Sequence, residues 1–201
     1  MVREQLQLRG IRDALVLEAM RTVPRDRFVS ADLQHYAYAD APLPIGRGQT
    51  ISQPYVVAYM AEALRLEKGE RVLEVGSGSG YAAAVLAQLA GEVYGIELER
   101  ELYDHSAATL TALGYPNIHL KHGDGFAGWP EKAPFDAILL SCAAEEVPAP
   151  LWEQLRVGGR FLYPKGTEGS FQELVLVTKT PSGPKERRLV PVRFVPMRRS
   201  P

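Results

Sequence analysis

Residues 72–87, VLEVGSGSGYAAAVLA, place a short apolar run directly before three alternating glycines and then an alanine-rich run. A strand has to stop and a helix has to start here, through a turn that needs residues without Cβ. The pattern recurs downstream. VYGIE reads as a strand, RELYDHSAATLTAL as a helix closed by Gly114, and NIHLKHGD as a strand with its exit. FDAILLS follows as a strand, PAPLWEQL as a short helix and GRFLYP as a strand. Strand and helix in alternation, with short connections, require a parallel sheet covered on both faces by right-handed crossovers. The expected fold is α/β: a Rossmann-like, doubly wound, mostly parallel sheet. Its ending differs, because only PSGPKE separates QELVLVTKT from RRLVPVRFV, which predicts an antiparallel hairpin at one edge.

Upstream, IRDALVLEAMRTV (11–23) has helical spacing and is stopped by Pro24. From Pro24 to Gln53 no period holds, so a long irregular segment is expected there. Pro54 then suits the first turn of a helix running to about Leu66. With 201 residues, 46% of them hydrophobic, the chain can bury one sizeable core. One domain over 1–201 is expected, with 1–53 as helix and loop and 170–201 as the hairpin.

The formal net charge is −1, from 23 basic and 24 acidic residues, so no global field draws nucleic acid or an anionic membrane, and neither is expected as a partner. A local basic cluster does exist: Lys179, Lys185, Arg187, Arg188, Arg193, Arg198 and Arg199 stand against the single acid Glu186. It reads first as a solvated strand and tail, with a binding surface as the alternative. The early charges Arg3, Glu4 and Arg9 leave no apolar run for a secretory leader, and YAAAVLAQLA is too short to span a bilayer. Cys142 is the only cysteine, which excludes a disulfide framework and points to the cytoplasm. After AILLS it reads as buried packing rather than as a nucleophile. His119 and His122 fall on opposite faces of a strand and its exit, so no metal is expected.

Gly76, Gly78 and Gly80 let the backbone approach a nucleotide-containing cofactor closely. Residues 78–83 also satisfy the dinucleotide form G-x-G-x-x-A, so a dehydrogenase has to be weighed. Glu97, 21 residues after Gly76, would accept from ribose hydroxyls in either reading. Three features separate the two. Glu74 stands just before the glycines, where pyrophosphate is unwelcome but a cationic cofactor with an amino-acid end is acceptable. Asp124 in HGDGF is placed to bond an adenine amino group. No second substrate domain or hydride-site pair follows. S-adenosylmethionine fits better than a nicotinamide dinucleotide, although Glu74 also reads as a loop cap and Asp124 as a turn former.

At this level of detail the chain resembles the bacterial type of protein-L-isoaspartate O-methyltransferase. The likeness rests on VPRDRFV (23–29), YADAPLPIGRGQTISQPYVVAYMAEAL (38–64), VLEVGSGSGYAAAVLA, GDGFAGWPEKAPFDAI (123–138), LRVGGRFLYPKG (155–166) and VRFVPM (192–197). GQTISQP is the specific part, since it belongs to this family's substrate-side loop rather than to the cofactor fold at large. The resemblance implies the class I methyltransferase fold, with S-adenosyl-L-methionine as cofactor and S-adenosyl-L-homocysteine as product. It also implies methyl transfer to the α-carboxylate of L-isoaspartyl residues in damaged proteins and peptides. A monomer is expected. Ser77 and Gly125 join Glu74, Gly76, Gly78, Gly80, Glu97 and Asp124 as expected cofactor contacts. Ser52 is the expected catalytic hydroxyl, with Asp40, Thr50, Gln53 and Val192 beside it on the substrate side. Read without the family, Ser52 is instead an N-cap that accepts from the Tyr55 amide, and Asp40 is a turn residue. Departures from the family pattern are modest: Ser77, SCAAEE (141–146) and Tyr163-Pro164-Lys165. Two rivals stay open here, a methyltransferase of small molecules or nucleic acid and a nucleotide-sensing module without turnover.

Overall fold

The computed structural model describes residues 1–199. Asp13 opens the first helix by accepting from the Leu15 and Val16 amides at 2.8 and 3.2 Å, so α1 runs over Ala14–Thr22 rather than from residue 11. The segment from Pro24 to Gln53 is more ordered than its composition suggests. Two 3-10 turns, Arg25–Phe28 and Ala31–Tyr36, lead into an antiparallel hairpin of β1 (Leu43–Gly46) and β2 (Gln49–Ile51). The turn closes through Gly46, Arg47 and Gly48, all at positive φ, a geometry in which the two glycines are unstrained. α2 (Pro54–Leu64) stops short of Leu66 because Arg65 turns left-handed, with φ 47°.

The alternating body follows as β3 (Arg71–Val75), α3 (Tyr81–Ala87), β4 (Glu92–Glu97), α4 (Arg100–Leu113), β5 (Ile118–His122), β6 (Phe135–Leu140), α5 (Ala149–Gln154) and β7 (Leu155–Lys165). β8 (Gln172–Thr180) and β9 (Gly183–Val192) complete a seven-stranded sheet in the order β5-β4-β3-β6-β7-β8-β9. Pairing is parallel from β5 to β7 and antiparallel for β8 and β9, as the sequence leads one to expect. β9 begins four residues before the run read as a strand, and β7 is longer at both ends. Of the expected 170–201 hairpin region, residues 200 and 201 lie outside the described residues.

The two-residue period of the strands divides the core. Val72, Val93, Ala137 and Leu139 face α1, α2 and α3, meeting Met20, Met60 and Val85. Leu73, Ile96, Ile138 and Phe161 face the other way, toward Leu151 of α5. From β3 the chain winds outward to β4 and β5, then returns to lay β6 on the other side of β3. Such a reversal leaves a crevice beyond the carboxyl ends of the central strands. Fully buried Arg25 ties the N-terminal segment to this centre, since its Nε donates to the Ala37 carbonyl at 2.7 Å and its guanidinium lies over the Tyr81 ring. Burial lowers its pKa to about 10, so it stays charged at neutral pH.

Candidate active site

A cleft of about 290 Å³ opens at that crevice, near the lower end of ordinary ligand sites. Its floor is the loop after β3. The Gly76 and Ser77 amides donate to the Ile96 carbonyl, and the Gly78 amide donates to Glu97 Oε2 at 2.7 Å. Glu97 Oε1 accepts from the Glu99 amide at 2.8 Å. The Glu97 carboxylate therefore fastens the glycine loop to the end of β4 while lining the cleft. Gly125 brings the third strand exit close. A Cβ there would fall 2.3 Å from Val75 Cγ1, so only glycine fits without displacing β3.

The hairpin forms the opposite wall. A Cβ on Gly78 would lie 3.2 Å from Ile45 Cδ1, which sets β1 directly against the glycine loop. Arg47 at the hairpin tip bonds Glu101 of α4, and Ile51 is buried at the end of β2. Ser52 and Gln53 form the joint between β2 and Pro54 at the start of α2. Thr50, Ser52 and Gln53 line the cleft together with Gly76, Gly78, Glu97, Gly125 and Val192. Gln53, not Ser52, holds the cap position of α2, and no side-chain bond caps it. The cap reading of Ser52 is thereby corrected: among the described residues its hydroxyl has no hydrogen-bond partner.

The other expected site residues fall outside the cleft lining. Asp40 Oδ2 lies 2.5 Å from Arg9 Nη1, and its carbonyl accepts from Gln53 Nε2. These contacts tie it into the loop. Gly80, at φ 85°, caps α3 and donates to the Ser77 carbonyl. Asp124 Oδ1 accepts from the Phe126 amide and the residue lines a neighbouring cavity, although Gly123 and Gly125 on either side of it line the cleft. Ser77 is buried behind the loop with an unpartnered Oγ. Glu74 is fully buried and accepts from Ser141 Oγ at 2.7 Å, leaving Oε2 without a partner. Ser141 itself lines the cleft, so Glu74 reaches it only through that hydroxyl.

Burial pushes the Glu74 carboxyl up to about 7, with the Ser141 hydroxyl opposing the rise and nearby Glu97 adding to it. An unfolded glutamate titrates near 4.3, so between these values the folded chain holds a proton that the unfolded chain has lost. The contribution of Glu74 to stability is therefore expected to be full below about pH 4 and to decline by about 3 kcal/mol as pH rises to about 7. Glu74→Gln keeps an acceptor for Ser141 and removes this decline. Thermal unfolding of the cofactor-free protein from pH 4.5 to 8 should show the variant gaining on wild type as pH rises. Parallel curves would remove Glu74 as the source. Burial likewise raises the Cys142 thiol to about 12, so it is no nucleophile at neutral pH.

Two features of the cleft escape a sequence reading. Ser141 sits at the carboxyl end of buried β6, where a small polar residue in a parallel sheet is a recognisable signal. The run Arg193–Arg198 closes one side. The Ala143 amide donates to the Val195 carbonyl and the Met197 amide to the Ala143 carbonyl, both at 2.8 Å, and Arg198 bonds Glu99 across the rim. Of the two arginines lining the cleft, Arg198 is thus already paired. The donor set offers carboxylates, hydroxyls and a glycine cradle, with buried acceptors unfilled behind it. That suits a cationic sulfonium cofactor with ribose hydroxyls better than a pyrophosphate.

The sequence model of the protein-L-isoaspartate(D-aspartate) O-methyltransferase family matches residues 1–200. The chain belongs to that family. It is 71% identical to protein-L-isoaspartate O-methyltransferase 2 of Anaeromyxobacter sp. (strain Fw109-5), over 99% of this chain and 82% of the relative. A solved protein-L-isoaspartate O-methyltransferase superposes with TM-score 0.89 at 30% identity, covering 98% of this chain, which spans 65% of that longer one. A Plasmodium falciparum protein-L-isoaspartate O-methyltransferase, solved with S-adenosyl-L-homocysteine, gives TM-score 0.86 at 29% identity, covering 99% of this chain and 97% of its own. Membership makes the cofactor S-adenosylmethionine and settles the dehydrogenase alternative. Among the described residues of this protein-L-isoaspartate O-methyltransferase family member, no three His, Cys, Asp or Glu could hold a metal ion, and His119 is taken up by Glu92 at 2.5 Å. No helix among them is long and apolar enough to cross a membrane.

Proposed function

We propose that Ser52 orients the α-carboxylate of an L-isoaspartyl residue for methylation, with Glu97 and the Gly76–Gly78 loop holding the cofactor opposite. S-adenosylmethionine supplies an electrophilic methyl group on a sulfonium. The accepting carboxylate is ionised at neutral pH, since carboxyl groups titrate near 4, so the protein has no proton to remove. That suits a cleft whose carboxylates are bound to backbone amides or buried and whose thiol is protonated. What remains is alignment, which is worth several kcal/mol when two groups are held in register. A neutral hydroxyl can hold one carboxylate oxygen by donating to it while leaving the charge on the group. A salt bridge in the same place would stabilise the ground state and weaken the nucleophile.

Thr50 and Gln53 support Ser52 from the same joint. Glu97 would accept from ribose hydroxyls with the lone pairs that the Gly78 and Glu99 amides leave open. Ser141, braced by Glu74, would hold the amino-acid end of the cofactor, and Asp124 would take its base. The free edge of β9 around Val192 supplies main-chain groups to an extended substrate, a mode that tolerates many side chains. The methyl ester, a better leaving group than a carboxylate, closes to a succinimide without the protein, releases methanol and reopens partly to normal aspartate. Localisation in the cytoplasm, which suits a lone buried cysteine, and a monomeric state complete the reading.

The observation that carries this assignment is the Ser52 hydroxyl, uncommitted among the described residues and in the same cleft as Glu97. Two peptides differing only in isoaspartate against aspartate test it. With S-adenosylmethionine, the isoaspartyl peptide alone should gain a base-labile methyl ester and release methanol. Equal labelling of both would reject it.

A further inference from the structure

Arg193 stands on the rim of the cleft that contains Ser52 and Val192. Its backbone is held on both sides, by the pairing of Val192 with Gln172 before it and by the contacts of Phe194 and Val195 after it. Gln172, 3% exposed, accepts from the Phe194 amide at 2.7 Å and donates to the Phe194 carbonyl at 3.1 Å, and Val195 is bonded to Ala143. Val192 and Phe194 pack against the core, while Pro191 and Arg193 are exposed. This two-residue alternation marks an extended chain with the Arg193 side chain on its outer face. Of the charged groups nearby, Arg198 is paired with Glu99, Arg188 with Glu173, and Lys165 with Glu186. No carboxylate among the described residues pairs with Arg193. It is an unneutralised cation on a held backbone at the mouth of the cleft.

We propose that Arg193 determines substrate preference by pairing with an acidic side chain within two residues of the isoaspartate. The inference rests on isoaspartyl peptides being the substrate and on β9 reading their main chain. A peptide laid along the free edge of β9 brings one of its side chains opposite Arg193, at the 4.5–5.5 Å Cβ separation of cross-strand neighbours. An opposite charge there is favourable and a like charge is not. The reacting carboxylate is a different group, since Ser52 at the half-buried joint takes it while the Arg193 side chain faces outward.

The test uses isoaspartyl peptides carrying Glu, Gln or Lys at each of the two positions on either side. Wild type should favour the best-placed Glu peptide over its Lys counterpart by about threefold to fivefold in kcat/KM at low salt, and by less at high salt. Arg193→Gln should bring that ratio to about one, and Arg193→Glu should invert it. A merely structural role would lower every peptide alike and leave the ratio intact. A wild-type ratio of one, or a ratio that survives Arg193→Glu, overturns the proposal. So does a uniform loss with Arg193→Gln that leaves the ratio intact. If wild type methylates none of the isoaspartyl peptides, the substrate assignment itself fails and carries this inference with it.

Discussion

Ser52→Ala is expected to lower kcat/KM for an isoaspartyl peptide about 10²-fold, which corresponds to roughly 2.7 kcal/mol of transition-state stabilisation. Cofactor affinity and thermal stability should stay close to wild type. The structure sharpens the stability half of this expectation. An N-cap serine replaced by alanine typically costs about 1 kcal/mol, but the cap position of α2 belongs to Gln53, and the Ser52 hydroxyl bonds nothing within the described residues. Removing it leaves no buried donor or acceptor stranded. Steady-state methyl transfer and thermal unfolding on one preparation check both halves. A variant with wild-type kcat/KM would end the role assigned to Ser52.

Glu97→Ala is expected to weaken S-adenosylmethionine by about 10²-fold or more. Each hydrogen bond to a charged group is worth about 1.5–3 kcal/mol, and two ribose hydroxyls are involved. The structure adds a second cause. The same carboxylate receives the Gly78 and Glu99 amides, so its loss frees the glycine loop as well as the ribose. Glu97→Gln separates the two causes only partly, because its amide nitrogen would meet one of those amides donor to donor. Calorimetry with the folded alanine variant is decisive, and unchanged cofactor affinity would displace Glu97.

The sheet was legible because β-branched runs, glycine turns and alanine-rich helices each follow from local chemistry, and local chemistry is what a single sequence displays. The placement of Glu97 at a strand end near the glycines was legible for the same reason. The β1–β2 hairpin was not. Its strands are four and three residues long, one contains Pro44, and its turn puts a non-glycine, Arg47, at positive φ, so every local signal favours a loop. The ion pair of Asp40 with Arg9, 31 residues away, was not legible either, since nothing in one sequence announces a long-range pair. The Arg193–Arg198 wall depends likewise on Ala143. Ser52 was singled out through the family likeness of its loop. Its residue type alone suggested a cap, and only the packing around α2 set that aside.

A free strand edge carries a hazard, because its unpaired groups would template any exposed strand, including one from a second copy. Proteins bearing isoaspartate are damaged, and damaged chains expose such strands. β9 carries its own protection: Pro184 and Pro191 interrupt its donors, and Lys185, Glu186, Arg187 and Arg188 crowd the stretch between them with charge. The open edge is thereby broken up, so that a growing aggregate finds no continuous seam along it.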